Sequence, residues 1–357
     1  MTATVRVAML PAAHGDCLWL EYGVGDERAR ILIDAGPSHA FDHVVGRLRE
    51  LADDDPLVDV FVITHVDTDH IEGALRLIGG VDSPLMFGDV WFNGLGHLEA
   101  DRVGTDRGGV QGQFLAALLA GRAWNLAWGG KAVRLTDDGA PITLRPPAID
   151  GRPVETITVL SPTRAKARSM AKQWRLACEG ADLEIDDVAQ VLARFEADAR
   201  YGAQRGGDEA RVVRLGVDGS VPNGSSIAFV FEYGGRCVLL SGDAHAGVLR
   251  DSIRRLLDQR GDARLHLDAF KISHHGSRNN ISAALLDLLV CDTFLVSTNG
   301  DRFGHPDAEA IELIASRAGG SRTRVVFNYR TEHTSPWEHD PRIEAIYGDD
   351  GFVLVEL

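Results

Sequence analysis

Four side chains that can bind a metal ion lie within a short segment of this sequence. The segment reads His65-Val66-Asp67-Thr68-Asp69-His70. Two carboxylates held this close together repel each other, which raises their pKa values unless a cation lies between them. Asp67, Thr68 or Asp69 could instead cap the start of a helix, but a cap explains one residue and not four. The segment therefore predicts a metal-binding loop.

Two later segments carry residues that complement this loop. The apolar run Val238-Leu239-Leu240 leads into Ser241-Gly242-Asp243, and a carboxylate released at a strand end can bridge two metal ions. Taken alone, such a Gly-Asp pair is more typical of an ordinary turn. A second apolar run leads into His274-His275-Gly276-Ser277. Adjacent histidines at a strand end seldom serve a core, so we expect one to bind metal and the other to face the substrate.

The charges of the candidate ligands suit a pair of divalent ions. Asp67, Asp69 and Asp243 supply three negative charges. A bridging hydroxide would neutralise the remaining positive charge of two divalent ions. Two-metal hydrolases generate such a hydroxide near neutral pH and use it as the nucleophile. The sequence thus predicts a hydrolytic centre with a metal-bound hydroxide.

Alternating strands and helices position these segments. The N-terminal part predicts strands at residues 5–10, 17–22, 30–34 and 58–64 and helices at 41–51 and 71–78. The last third predicts a hairpin of strands 226–232 and 236–241, further strands at 269–273, 293–297, 324–328 and 351–356, and helices at 248–257, 282–289 and 307–318. This order indicates an α/β fold in which sheet packs on sheet with helices outside, an αββα four-layer sandwich with two mixed sheets.

The middle of the chain has a different character. It contains a strand-like run at 156–160, a charged helix-like stretch at 164–199 and a polar, glycine-rich stretch at 200–216 that we expect to be a mobile loop. We predict a single domain over residues 1–357 with an inserted or elaborated segment at roughly 98–220. A basic cluster falls in this segment and predicts a solvated helix face, or a guide for a phosphate chain if it borders the metal cleft. It comprises Arg164, Lys166, Arg168, Lys172 and Arg175.

The composition limits the partners. The net charge is −15, which disfavours loose binding to polyanions, so a nucleic-acid substrate would have to be gripped locally. The start of the chain lacks the apolar segment of a secretory signal, and no apolar run approaches the roughly 18 residues of a membrane span. The four cysteines form no CxxC pair. We therefore expect a cytoplasmic protein without a membrane partner.

Taken in order, these motifs resemble the metallo-β-lactamase superfamily. More narrowly, they resemble the soluble relatives of the hydrolase domain attached to the ComEC competence channel. The segments that carry the resemblance are Ala13-His14-Gly15-Asp16, Ile31-Leu32-Ile33-Asp34-Ala35-Gly36, Thr64 to His70, Asn223-Gly224-Ser225-Ser226, Leu240-Ser241-Gly242-Asp243, Ser273-His274-His275-Gly276-Ser277 and Gly304-His305-Pro306. The resemblance spans nearly the whole chain except its middle segment and implies a metallo-β-lactamase-like sandwich.

The resemblance also implies a role for each motif residue. His65 and Asp67 would bind the first metal ion, and Asp243 would bridge both. The implied ligands of the second metal ion are Asp69, His70 and one of the pair His274 and His275. We favour His275 as the ligand and expect Asp69 and His274 to be catalytic, with His274 contacting or protonating the leaving oxygen. Asp34 would orient a histidine of the loop from behind.

Two departures from the family pattern bear on the metal. Asp67 stands where the loop pattern His-x-His-x-Asp-His has its second histidine, and this harder ligand moves the preference from zinc toward manganese. In addition, no histidine lies between His97 and His245. A further ligand of the first metal ion would have to be His97, Asn93 or an acidic residue of the middle segment. Without one, a single tightly bound ion is the alternative to two ions of zinc or manganese.

The motifs favour hydrolysis of phosphate esters. The missing central histidine argues against β-lactamase, glyoxalase and lactonase activity, whereas Ser-His-His-Gly-Ser suits phosphoester hydrolysis. We predict a phosphodiesterase or nuclease whose substrate contains phosphate, with nucleic acid among the candidates. The alternatives are a hydrolase of a small-molecule ester or amide, and a non-enzymatic sensor or partner subunit that keeps its metal. His14, Asp16, Ser277 and His305 are candidate substrate contacts, and an ordinary turn or structural hydrogen bond is an equal alternative for each.

Overall fold

Strands and helices alternate along most of the chain. The computed structural model describes residues 3–80, 83–99, 110–145, 155–198, 218–291, 293–317 and 322–357, so the expected loop at 200–216 lies outside the described residues. The strands are β1 (Ala3–Met9), β2 (Leu18–Val24), β3 (Glu27–Ile33), β4 (Leu57–Val62), β5 (Met86–Trp91), β6 (Ile142–Leu144), β7 (Thr156–Ser161), β8 (Ala228–Tyr233), β9 (Arg236–Leu240), β10 (Leu265–Leu267), β11 (Ala269–Lys271), β12 (Leu289–Cys291), β13 (Thr293–Val296), β14 (Thr323–Phe327), β15 (Ile343–Tyr347) and β16 (Val353–Glu356). The helices are α1 (Phe41–Ala52), α2 (Thr68–Gly79), α3 (Leu95–Leu98), α4 (Val110–Leu119), α5 (Arg164–Gly180), α6 (Val188–Asp198), α7 (Val221–Gly224), α8 (Ala246–Arg260), α9 (Ala283–Leu286) and α10 (Ala308–Ala315).

The strands form two large mixed sheets and a small one. The first sheet has the order β16-β1-β2-β3-β4-β5, antiparallel from β16 to β3 and parallel from β3 to β5. The second has the order β15-β14-β13-β11-β9-β8-β7-β6, parallel from β15 to β9 and antiparallel from β9 to β6. β10 and β12 pair in parallel beside them. Both large sheets are mixed, as the sequence predicts.

Three hydrophobic clusters define the layers. One lies between the two sheets and joins Val7 of β1 to Phe229 of β8. A second packs α1, α2, α4 and α5 on the outer face of the first sheet, and a third packs α8 and α10 on the outer face of the second. In β1, Val7 belongs to the inner cluster and Ala8 to the outer one, which is the alternation of a strand buried on both faces. The molecule is therefore the αββα sandwich expected from the sequence.

The middle segment contains the main departure from the expected elements. The described part of the helix-like stretch at 164–199 contains two helices, because α5 ends at Gly180 and Asp182 adopts a left-handed φ of 51° before α6 begins. The amide of Leu183 then donates to the carbonyl of Cys178, and the Leu183 side chain is buried in the outer cluster. The described parts of the segment belong to the sandwich, since α4, α5 and α6 pack in that cluster and β6 and β7 extend the second sheet. No helix in the described part of the chain is long and apolar enough to cross a membrane.

The candidate site residues lie at one end of the sandwich. β4 of the first sheet ends just before the 65–70 loop, and β9 and β11, which are neighbours in the second sheet, end before Asp243 and His274. The amide of Ile227 donates to the carbonyl of Thr64 at 2.9 Å, which joins the two sheets at this end. Segments more than 160 positions apart in the sequence thereby meet.

Candidate metal centre

The loop at 65–70 turns directly into helix α2. Asp67 precedes the helix in an extended conformation, and its side chain makes no capping hydrogen bond. Asp69 and His70 lie in the first turn and are buried, whereas the Asp67 side chain is 38% exposed. Helix capping therefore does not account for these acidic residues. Their side chains are therefore available for contacts at the end of the sandwich.

Asp243 is at the centre of the candidate site. Its Oδ2 lies 3.4 Å from Nε2 of His70, 3.9 Å from Nε2 of both His65 and His275, and 3.8 Å from Nε2 of His274. The turn before Asp243 requires glycine, because residue 242 adopts a φ of 47° and a Cβ there would lie 2.4 Å from Oγ of Ser226. The structure thus brings the paired histidines and the Gly-Asp turn to the 65–70 loop.

Two groups of buried side chains could each hold a metal ion. His65, His70 and Asp243 form one, and Asp69, His70 and His275 form the other, with the ligand atoms of each group within 4.8 Å of one another. His70 belongs to both. Asp67 belongs to neither and lies at the rim, with its Oδ2 3.6 Å from Nε2 of His65.

Several buried polar atoms of these residues lack a hydrogen-bond partner in the described part of the chain, and this shows whether the residues suit metal ions. Nε2 of His65, His70 and His275 and Oδ1 of Asp243 are buried and find no hydrogen-bond partner among the residues that the structure describes. A buried polar atom without a partner is costly, and a cation would satisfy all four. Imidazole nitrogens and carboxylates are also the donors that divalent transition metals prefer. The residues present therefore fit bound metal ions.

The opposite nitrogen of each buried histidine is held by an acceptor. Nδ1 of His70 lies 2.7 Å from Oδ2 of Asp34, and Nδ1 of His275 lies 2.9 Å from the carbonyl of Ser297. Thr64 gives its hydroxyl proton to Asp34 at 2.7 Å, so its oxygen is free to accept from Nδ1 of His65 at 2.9 Å. Each ring is thereby held as the tautomer that leaves a lone pair on Nε2 for a metal.

Charge in the centre also favours a cation. Burial opposes the charged form of His70, but the carboxylates of Asp243 and Asp34 raise its pKa well above the usual value. Against the same opposition, Asp16 and Asp243 raise the pKa of His275 to about 10. Burial would raise the pKa of Asp243, yet the neighbouring imidazoles lower it well below its usual range. The carboxylates around these rings therefore favour positive charge in the centre, which bound metal ions would supply.

A substitution of Asp34 tests the orienting contact. We expect Asp34→Asn to weaken metal binding by about 10- to 100-fold, because an amide cannot accept from Nδ1 of His70 as strongly as a carboxylate. Competition with a chromogenic chelator measures the affinity, and Asp42→Asn on the exposed surface of α1 is the control. Equal affinities in both variants would show that Asp34 does not orient the ligand.

His274 stands between the metal centre and the solvent. His274 and His275 both adopt left-handed backbone conformations, with φ of 51° and 55°, and Gly276 follows them in the turn. The His274 side chain is 22% exposed, and its Nδ1 lies 3.0 Å from Oδ1 of Asn280. Asn280 in turn donates to Oδ2 of Asp218 at 3.0 Å.

Asp218 and Asn280 were not predicted from the sequence. Oδ2 of Asp218 lies 3.6 Å from Nδ1 of His274 and 3.7 Å from Nε2 of His245, and it also accepts from Asn223. Among the residues around Asp218, Asn223 and His274 lie in motifs that the sequence analysis singled out. Asp218 has an isolated Asp-Gly sequence that is typical of a turn, so no local signal identified it.

A buried ion pair between Lys271 and Asp16 lies beside His275. Nζ of Lys271 lies 2.7 Å from Oδ2 of Asp16, and both side chains are almost completely buried. The other oxygen of Asp16 lies 3.4 Å from Nδ1 of His275. Asp16, a candidate substrate contact, is therefore directed at Lys271 and His275, away from the rim. Lys271 was not predicted, although a lysine inside an apolar strand is an unusual feature of the sequence.

Two of the remaining candidates, His305 and His14, lie on the side of the centre where His274 is exposed to solvent. We call this side the mouth of the centre. The His305 ring lies 5.4 Å from the His274 ring, and Nε2 of His14 lies 3.5 Å from the guanidinium of Arg302. Burial is the main reason that the pKa of His14 falls to about 4. Ser277 is buried in the turn itself, where its amide donates to the carbonyl of His274 and its Oγ accepts from the amide of Asn279 at 3.4 Å.

Asn93 and His97, the two possible further ligands, make their contacts with residues outside the candidate metal groups. Both polar atoms of the Asn93 amide bond the backbone of Val133 at 2.8 Å, so they are not available to a metal. His97 packs 5.1 Å from the Trp124 ring and belongs to neither candidate group. Apolar packing of α3 fixes it there.

Two arginines of the basic cluster on α5 form ion pairs. Arg164 pairs with Asp137 at 2.9 Å, and Arg175 pairs with Glu99. These contacts lie on the surface of α5 and agree with a solvated face.

Comparisons with known proteins give a likeness to solved structures alone. No family model matches the chain, and no curated protein matches it. Among solved structures, the chain is similar to a mutant of CmlA beta-hydroxylase, with a TM-score of 0.42 and 12% sequence identity. The match covers 99% of this chain and 54% of the other. The chain thus spans about half the length of that protein.

Proposed function

We propose that this protein is a metal-dependent hydrolase that cleaves phosphodiester bonds. The observation that carries the proposal is the convergence of three unpartnered, buried imidazole nitrogens on the Asp243 carboxylate. Metal ions held there would supply Lewis acidity and a source of hydroxide near neutral pH. The residues that would hold them are His65, Asp67, Asp69, His70, Asp243 and His275. Zinc and manganese are the ions that this mixture of imidazole and carboxylate suits.

We infer that His274 protonates the leaving group. Its Nδ1 is turned to Oδ1 of Asn280, because the amide nitrogen of Asn280 is directed to Asp218. In the protonated ring, Nε2 then carries a proton on the side of Asp243, 3.8 Å from its Oδ2. A leaving oxygen held between the metal centre and His274 would receive this proton. Asp218 and Asn280 are positioning residues in this arrangement.

The mouth of the centre suits an anionic substrate. The chain carries a net charge of −15, so a phosphodiester needs local positive charge to approach. The guanidinium of Arg302 lies beside His14 at the mouth and offers such a charge. Planar guanidinium groups bind phosphate oxygens well, which favours phosphodiesters over neutral carboxylic esters.

Assays of the purified protein with manganese or zinc test this function. We expect turnover of bis-p-nitrophenyl phosphate and of single- or double-stranded DNA, abolished by a chelator and restored by the metal. Elemental analysis establishes that metal is bound in the sample assayed. Metal-loaded protein that cleaves none of the phosphodiesters would refute the proposal. Turnover of p-nitrophenyl acetate alone would replace it with ester hydrolysis.

A further inference from the structure

An exposed aromatic ring stands at the mouth of the metal centre. Phe303 is 40% exposed and is the only aromatic residue among the large hydrophobic side chains exposed in the described part of the chain. It is a member of none of the three hydrophobic clusters formed by the described residues. A phenylalanine that belongs to no hydrophobic cluster and remains partly open to water contributes little to the core.

The neighbours of Phe303 are residues of the candidate site. Its ring centroid lies 6.0 Å from that of His305, 6.0 Å from that of His14 and 6.5 Å from that of His274. The guanidinium carbon of Arg302 lies 5.2 Å from the ring centroid. An aromatic surface and a cation therefore stand side by side where a substrate phosphate would enter.

The loop that carries Phe303 is firmly attached. The amide of Asn299 donates to the carbonyl of Ala13 at 2.9 Å, and the amide of Gly304 donates to the carbonyl of Gly300 at 2.8 Å. A Cβ at Gly300 would lie 2.6 Å from the His333 ring, so the loop is closely packed. A ring held in place before the ligand arrives loses little conformational entropy on binding.

We propose that Phe303 is a stacking platform for a nucleobase attached to the phosphodiester that is cleaved. This inference rests on the proposed function and narrows its substrate to nucleotides and nucleic acids. An aromatic ring next to a phosphate-binding cation is the combination that proteins use to hold single-stranded nucleic acid, because bases stack and phosphates pair with guanidinium. Duplex DNA offers no free base face, so single strands are the preferred form.

The experiment compares a short single-stranded oligonucleotide with the same backbone bearing abasic sites. We expect the wild type to prefer the base-bearing strand, and Phe303→Leu to lower the ratio of the two kcat/KM values by about tenfold, since stacking contributes that order of affinity. Phe303→Trp should keep the ratio, because it keeps an aromatic face. Leu354→Ala, at an exposed site on β16, is the matched control. An unchanged ratio in Phe303→Leu would overturn the inference while leaving the hydrolytic function intact.

A binding experiment separates this inference from the proposed function. Calorimetry with adenosine 5′-monophosphate and with ribose 5-phosphate needs no turnover. We expect the nucleotide to bind about tenfold more tightly than the sugar phosphate, and this difference to disappear in Phe303→Leu. That result in a protein without hydrolytic activity would support the stacking site and refute the hydrolase. Equal binding of both probes by the wild type would refute the stacking site.

Discussion

Replacing Asp243 with asparagine is expected to abolish metal binding and to lower kcat/KM for a phosphodiester by at least about 1000-fold, since metal catalysis contributes several kcal/mol of transition-state stabilisation. Oδ2 of Asp243 lies 3.4 Å from Nε2 of His70 and 3.9 Å from Nε2 of His65. The exposed carboxylate of Asp67 lies closer to His65, at 3.6 Å. An amide keeps the shape of the side chain and removes its charge. The protein should therefore fold without holding its ions.

The measurements for this variant are metal content by elemental analysis, turnover of bis-p-nitrophenyl phosphate and melting temperature. Asp258→Asn, on the exposed face of α8, is the matched control because it makes the same chemical change at a solvated position. Full turnover together with a lower melting temperature would assign the metal a structural role. Retained metal and full turnover would remove Asp243 from the centre altogether.

The layers of the fold could be predicted because the strands are apolar on both faces. β1 and β2 are covered by the second sheet on one side and by helices on the other, so they appear in the sequence as nearly continuous hydrophobic runs between glycine-containing turns. The three-residue strands β10 and β12 could not be predicted. Strands this short have no periodicity of their own and form only because their partner is nearby.

The candidate site was predictable where its residues are close together in the sequence. The 65–70 loop and the His274-His275 pair each concentrate metal-binding side chains within a few positions. Asp218 and Asn280 meet only in the folded chain, where one hydrogen bond joins positions 62 apart. Lys271 is different, because a charged residue inside a strand that reads as fully buried requires a buried partner. That signal was present in the sequence, although it could not identify Asp16 as the partner.

Replacing Lys271 with methionine is expected to lower the free energy of unfolding by about 3–5 kcal/mol, the usual cost of breaking a buried ion pair by removing one partner. The ammonium group lies 2.7 Å from Asp16, and both side chains are inaccessible to solvent. Methionine has nearly the same length and no charge, so Asp16 would keep a buried negative charge without a cationic partner. Lys172→Met, at an exposed position of α5, controls for the loss of a lysine as such.

The double variant Asp16→Asn with Lys271→Met distinguishes the ion pair from simple packing. Because neither side chain is then charged, we expect it to be more stable than Lys271→Met alone, with a coupling of about 1–3 kcal/mol between the two positions. Denaturant unfolding with a chelator present keeps bound metal from adding to the measured stability. Strictly additive effects would contradict a direct pairing. Since Oδ1 of Asp16 lies 3.4 Å from Nδ1 of His275, an additive result would also mean that Lys271 does not fix the carboxylate that borders this candidate ligand.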